Sequence, residues 1–365
     1  MRVWVGEPST FRSFFGLRSA HLQTILGPYL PGKVLRNTVE FTVELADGDS
    51  VAVHLDPPTI SHGSNSHLNS MGGRTAHAQS AANVARSLSQ PEVVIVSVHG
   101  LAGCHQSRYM QRLAWYANQR GWFSYRMDMR GAGTSGVRSR YLYHAGRSDD
   151  LLDVLRFVRQ QHPRGQIYLC GFSLGASVAL LLLSESASLA DVGLSGAVAV
   201  CPPLDLARSA DELQLGLNRI YDHVFAKALW KALLARPLAV RQLGERMPPR
   251  RPKTLKSFDE QVTVPLGGFQ TVEEYYTRFS TGPKVHQISL PTLVIMAQDD
   301  PLIAFEVAQN VVWSPTTKVV ATERGGHLGF IGRGSGGPPW QGIRWVEQAI
   351  IQAIEQQLAQ ETMSR

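Results

Sequence analysis

A serine, a carboxylate and a histidine stand in this chain at positions that suit nucleophilic catalysis. Gly171-Phe172-Ser173-Leu174-Gly175 fits the pattern G-x-S-x-G. Residues 166–170 before it (QIYLC) read as a short buried strand, and residues 176–183 after it (ASVALLLL) read as a helix. A strand that turns sharply into a helix leaves the central serine strained and exposed at the helix N-terminus. Glycines flank it because side chains there would collide across the turn. An ordinary strand-to-helix turn with a serine N-cap uses the same residue types, so the motif needs partners to carry chemistry.

Neutral serine is a weak nucleophile. It needs a base, usually histidine, held in orientation by a carboxylate. Residues 291–297 (PTLVIMA) read as a buried strand that ends in Gln298-Asp299-Asp300-Pro301. Asp299 and Asp300 compete for the acid, and the pattern usual after such a strand, a small residue, two variable residues and then the acid, favours Asp300. Asp299 would then hold the turn by accepting from nearby backbone N–H groups. Beyond a short strand at 318–321, Gly325-Gly326-His327 places a histidine in a loop. The order Ser173, Asp300, His327 is the one that accompanies such an elbow. The oxyanion needs two fixed donors. One is the N–H of Leu174, directly after the nucleophile. The other is the N–H of Leu101, in the loop His99-Gly100-Leu101 that follows a strand at 93–98. His99 itself reads as a packed turn residue.

These residues require a scaffold of alternating strands and helices. Residues 93–200 show that alternation, which implies a mostly parallel sheet. Residues 38–45 and 50–55 read as a hairpin through Ala46-Asp47-Gly48-Asp49. The helix at 148–161 is expected to start on an N-cap Ser148, with Leu151, Leu152, Leu155 and Val158 on its apolar face. Residues 340–360 read as a C-terminal amphipathic helix with Ile343, Val346, Ile350 and Ile354 inward. Arg130 is expected to anchor the loop after the fourth strand of the core, and His144 to be a hydrogen-bonded loop residue.

The chain resembles the YheT-like branch of the α/β-hydrolases, related to the mammalian ABHD hydrolases. The resemblance rests on His21-Leu22-Gln23-Thr24, on residues 99–109 (HGLAGCHQSRY), and on Arg130-Gly131 with Gly133 and Ser135. It continues through Tyr143-His144-Ala145-Gly146, the elbow, Ser257-Phe258-Asp259-Glu260, Glu274-Tyr275-Tyr276, Asp299-Asp300-Pro301 and residues 325–330 (GGHLGF). These stretches span almost the whole chain. The resemblance implies an α/β-hydrolase fold, with a mostly parallel central sheet, flanking helices and a helical cap insertion. It implies esterase or lipase activity on acyl esters, with Ser173, Asp300 and His327 as triad. Some relatives resemble acylglycerol or phospholipid hydrolases, and others transfer medium-length acyl groups to alcohols. The pattern departs at Cys104-His105, where relatives usually carry small polar residues.

The expected organisation has four parts. Residues 1–37 form an N-terminal extension packed on the core and carry the HLQT motif. Residues 38–201 form the first part of the core, interrupted by a flexible surface insertion at 57–90. Residues 202–286 form a helical cap, and 287–365 complete the core. Length and 44% hydrophobic content suit a single large core. No apolar run is long enough for a membrane span, and the first residues lack a signal-peptide core. Three cysteines make no disulfide framework or metal spacing, which points to a reducing cytoplasm. No cofactor or metal motif is present. The net charge of +7 comes without the aromatic-basic interleaving of a nucleic-acid binder. Residues 229–256 are apolar and basic, with Arg236, Arg241, Arg246, Arg250, Arg251, Lys253 and Lys256. They are either a solvated helical face or a peripheral contact with anionic lipid. The expected partner is a small acyl ester or lipid, with no bearing on oligomeric state. The expected function is carboxylic ester hydrolysis. An O-acyltransferase using the same triad is the alternative, and a non-catalytic binding protein on the same fold a remote one.

Overall fold

A computed structural model describes residues 4, 6, 8–30, 33–58, 92–137, 139–185, 189–334 and 343–363. Most of the expected insertion at 57–90 lies outside the described residues. Short apolar runs rich in Val, Ile and Leu become the central strands because both of their faces are covered. Among the described residues the sheet has eight strands. They are β2 (Val39–Glu44), β3 (Ser50–Asp56), β4 (Val93–Val98), β5 (Phe123–Met127), β6 (Gln166–Phe172), β7 (Leu194–Val200), β8 (Thr292–Ala297) and β9 (Thr317–Thr322). Their spatial order is β2-β3-β5-β4-β6-β7-β8-β9. β3 runs antiparallel to both of its neighbours, and β5 to β9 form a parallel array with β4. A separate two-stranded ribbon pairs β1 (Phe11–Ser13) with β10 (Gly332–Gly334) and ties the N-terminal residues to the chain beyond His327.

One face of the sheet is covered by the helices Ser148–Gln161 and Leu174–Glu185, and the other by Arg108–Asn118 and Val346–Met363. Ser148 is the first residue of its helix, after Arg147, and is not the cap that was expected. Asp149 and Asp150 still sit in the first turn, where carboxylates suit the helix dipole. At the C-terminus the helix begins at Val346. Val346, Ile350 and Ile354 are buried as expected, but Ile343 precedes the helix and is 46% exposed. The 3.6-residue period assigned an inward face to a residue whose backbone is not helical.

Between β7 and β8 the chain leaves the sheet. The helices Leu206–Glu212, Asn218–Leu234, Pro237–Leu243, Leu255–Phe258, Val264–Gly267 and Val272–Phe279 fill this interval, with a π-helical turn at Asp259–Thr263. Their starts are locally encoded. Asp205 accepts from the Arg208 N–H at 2.9 Å, Thr254 and Ser257 form a reciprocal capping box, and Thr271 accepts from the Glu274 N–H at 3.1 Å. Arg236 departs from the expected basic surface. It is buried, and its guanidinium donates to the carbonyls of Ala232 and Gly131. Its charge therefore fastens the inserted helices to the loop after β5, and is not offered to a partner.

Candidate active site

The G-x-S-x-G pentapeptide forms the turn from β6 into the helix Leu174–Glu185. Ser173 adopts φ +51, a left-handed conformation that costs a non-glycine residue about 1 kcal/mol or more. Close packing explains the two glycines. A Cβ at Gly171 would lie 2.5 Å from the Cα of Ala176, and one at Gly175 would lie 2.4 Å from the carbonyl oxygen of His99. The Ser173 N–H donates to the Val200 carbonyl at 2.8 Å, which pins the strained turn to β7.

His327 arrives from the loop after β9. Its Nε2 lies 2.8 Å from the Ser173 Oγ, and its Nδ1 lies 2.8 Å from the Asp300 Oδ2. Asp300 is held in turn, because its Oδ1 accepts the N–H groups of Leu302 and Ile303 at 2.9 and 3.1 Å. The neighbouring carboxylate takes another task. Asp299 Oδ1 accepts the Gly326 N–H at 2.9 Å and so fastens the loop that carries His327. Beneath this group Cys201 is fully buried at φ +48. Burial, and then the Asp300 charge, push its thiol well above the usual range, so it stays protonated.

The loop after β4 abuts Ser173. A Cβ at Gly100 would lie 2.9 Å from the Ser173 Cβ. Two tyrosine hydroxyls set the course of this loop. Tyr109 accepts the Gly100 N–H at 2.9 Å, and Tyr143 accepts the Ala102 N–H at 2.7 Å. Between them Leu101 borders the same cavity as Ser173 and Leu174. His99 is buried with Nδ1 2.8 Å from the Gly100 carbonyl, and its Nε2 accepts the Met129 N–H at 3.1 Å. Both nitrogens are therefore used within the turn. Burial lowers its pKa, which keeps it neutral.

The cavity over Ser173 is walled mainly by apolar side chains. Leu206, Leu213, Phe225, Leu229 and Phe258 come from the inserted helices, and Leu302 and Ile303 from the turn after Asp300. Polar groups also reach it. Asp259 accepts from Thr263 Oγ1 at 2.7 Å and from the Tyr276 hydroxyl at 2.9 Å. Burial pushes its carboxyl up to about 6. His144 is driven down to about 3 by burial and then by the nearby Arg147, Arg130 and Arg278 cations. It accepts the Gly146 N–H at 3.1 Å.

Residues 89–320 match the family described as serine aminopeptidase, S33 (Hydrolase_4). The chain belongs to this family, as a YheT-like α/β-hydrolase. It is 29% identical over 329 residues to YheT of Escherichia coli, named as an inferred esterase, covering 87% of this chain and 86% of that protein. It is 26% identical to a Saccharomyces cerevisiae monoacylglycerol lipase, covering 72% of this chain and 59% of the lipase. It is 29% identical to a medium-chain fatty acid ethyl ester synthase/esterase of the same yeast, covering 67% and 59%. The chain therefore spans about three-fifths of the length of the two yeast proteins. Among solved structures, a Pyrococcus furiosus esterase has the same fold, with a TM-score of 0.51 at 13% identity over 97% of each chain.

The α/β-hydrolase core carries supports that the sequence pattern marked without explaining. The HLQT motif lies on the helix Ala20–Leu26, beside the His327 loop. Thr24 Oγ1 accepts the His327 N–H at 2.8 Å. Gln23 is fully buried, donates to the carbonyls of Leu17 and Ile331, and accepts the Ile331 N–H at 2.6 Å. His21 Nδ1 lies 3.2 Å from the Tyr221 hydroxyl on the helix Asn218–Leu234. At the departure Cys104-His105, the His105 N–H and Nδ1 bond to Asp128 at 2.6 and 2.7 Å. Burial alone would raise the Asp128 carboxyl, but its bonds to His105 and His54 outweigh it and hold the group far below the usual range. Arg130 is buried against Asp150, Asp47 and Asp49, as an anchor for its loop. Among the described residues, His54, His105 and Asp128 have a metal-like spacing, as do Cys201, Asp300 and His327. The hydrogen bonds above already account for the carboxylates and for His105, His54 and His327 in both groups.

Proposed function

We propose that the chain is a serine hydrolase that cleaves carboxylic esters through an acyl-enzyme, with Ser173, His327 and Asp300 as its triad. The observation that carries this reading is the unbroken Ser173–His327–Asp300 hydrogen-bond chain, with both links at 2.8 Å, at the floor of an apolar cavity. Ser173 Oγ attacks the ester carbonyl while His327 Nε2 takes its proton. Asp300 keeps Nδ1–H pointed away from the serine and stabilises the imidazolium. The N–H groups of Leu101 and Leu174 hold the oxyanion, each contributing about 3 kcal/mol to the transition state. His327 then protonates the departing alcohol, and water releases the acid by the reverse path. In this reading residues 202–286 act as a cap that shapes the acyl site.

The apolar cavity favours fatty acyl esters, and the yeast relatives' names point the same way. One of those names also joins synthase to esterase. The same acyl-enzyme would pass its acyl group to an alcohol wherever an alcohol outcompetes water. A fluorophosphonate probe should label the wild type and leave Ser173→Ala unlabelled. A panel of p-nitrophenyl esters of rising chain length, with an aminoacyl p-nitroanilide beside it, then separates esterase from peptidase. Turnover of the anilide alone would overturn the ester reading. Adding ethanol and measuring ethyl esters decides the acyl-transfer variant.

A further inference from the structure

The helix Asn218–Leu234 turns one stripe away from the protein. Positions 217, 220, 224, 227, 231 and 234 recur at steps of three and four, and so share a face. All six are exposed. Four are apolar: Leu217 is 60% exposed, Ile220 59%, Val224 54% and Leu234 53%. The other two are Lys227 and Lys231. The helix has a single carboxylate, Asp222, which is buried and accepts the Leu255 N–H at 2.5 Å. A water-facing helix ordinarily presents polar residues and pairs its lysines with carboxylates one turn away. This one presents aliphatic side chains and cations.

A second apolar face adjoins it. The helix Ala20–Leu26 exposes Leu22 and Ile25, each 43%, and Tyr29 follows at 80%. His21 joins the two helices, since its ring stacks on Tyr221 with centroids 6.0 Å apart. Both helices also touch the site. Phe225 and Leu229 line the cavity over Ser173, and Thr24 holds the His327 backbone. The exposed stripe and part of the cavity wall are therefore carried by one helix.

We propose that this face, formed by residues 217–234 with Leu22, Ile25 and Tyr29, docks on an anionic lipid bilayer. The aliphatic side chains would enter the boundary between headgroups and acyl chains. Lys227 and Lys231 lay their stems along that boundary and set their ammonium groups among lipid phosphates. Charge decides the occupant. A second copy would offer these lysines no carboxylate from the same helix, whereas an anionic headgroup layer complements them along the whole stripe. The docking site overlaps the basic segment at 229–256 only through residues 229–234, and Arg236, farther along that segment, is buried. It does not depend on the chemistry at Ser173.

Flotation with vesicles of phosphatidylglycerol and phosphatidylcholine tests this against vesicles of phosphatidylcholine alone. The wild type should float with the anionic vesicles at low salt and lose binding as salt rises. Lys227→Gln with Lys231→Gln should weaken that binding about tenfold, and Ile220→Ser with Val224→Ser by a similar factor. Unchanged melting temperatures would show that both double variants keep the fold, whatever the outcome of the ester assays. Absence of wild-type flotation, or variants that float as the wild type does, would overturn the proposal. So would a wild-type dimer in sedimentation velocity that the same substitutions dissociate, because the face would then belong to a second copy.

Discussion

The loops at the ends of the parallel strands and the helices inserted between β7 and β8 meet the cavity over Ser173 through different kinds of contact. The loops are tied down by side chains that satisfy backbone N–H groups: Tyr109 on Gly100, Tyr143 on Ala102, Asp299 on Gly326 and Thr24 on His327. They also keep non-glycine residues at positive φ, namely Ala102, Ser173, Cys201, Leu328 and Phe330. Such backbone survives only where the surroundings over-determine it. The inserted helices meet the cavity mainly through apolar side chains, which pack without fixing direction. Damage to a loop tie should therefore change the rate of all substrates together, whereas damage to the inserted helices should change which substrates are preferred.

The largest effect is expected at Asp300. Asp300→Asn should lower kcat by about 10⁴, because His327 would lose both its orienting acceptor and its counter-charge. Asp299→Asn keeps an amide oxygen for the Gly326 N–H and should cost less than about tenfold. Kinetics of the two variants on one short ester suffice, and a reversed order would reassign the acid.

Next comes a loop tie far from the chemistry in sequence. Thr24→Val removes the acceptor for the His327 N–H at nearly constant volume. A lost buried hydrogen bond costs about 1–3 kcal/mol, and displacement of the base lowers kcat by about 10–100-fold. KM should barely move. A rise in KM with kcat intact would place Thr24 among the substrate contacts.

The inserted helices supply the contrasting outcome. Leu229→Ala enlarges the cavity over Ser173, and should change kcat/KM for long-chain esters by about tenfold while sparing acetate. Equal losses on acetate and on long chains would erase the distinction between the two regions.

The smallest effect concerns pH. The Asp259 carboxyl is raised to about 6 from the 3.8 of an ordinary aspartate, mainly by burial. Between these values the folded chain binds more protons than the unfolded one, so its stability falls as pH rises through that interval. Asp259→Asn carries no charge to desolvate. Its melting temperature relative to the wild type should rise by a few degrees between pH 4 and pH 8. A constant difference across that range would mean that Asp259 is not the group responsible.

The elbow was legible because its demands are local. A tight strand-to-helix turn dictates glycine, serine and glycine at fixed positions, and neighbouring apolar runs declare the strand and the helix. The strand-end position of Asp299-Asp300 and the glycines before His327 were readable for the same reason. The errors arose where a local pattern met a distant partner. Ile343 fits an inward helical face by period, yet the helix starts later. Arg236 reads as one cation in a basic run, but it is buried against carbonyls that include that of Gly131, 105 positions away. Ser148 has the right type for a cap and sits one residue inside.

By itself, then, the sequence determined the order of the strands and helices, the turn that strains Ser173 and the residue types available for base and acid. These follow from steric limits and hydrophobic period, which act over a few residues. Only the tertiary structure showed what the HLQT motif holds and that the backbone group Asp299 fastens is the Gly326 N–H. It also decided which face of the helix Asn218–Leu234 meets water. Each of these turns on a few ångströms between segments far apart in sequence, 308 residues for Gln23 and Ile331. Such distances are set by how the whole core closes, not by any stretch of chain alone.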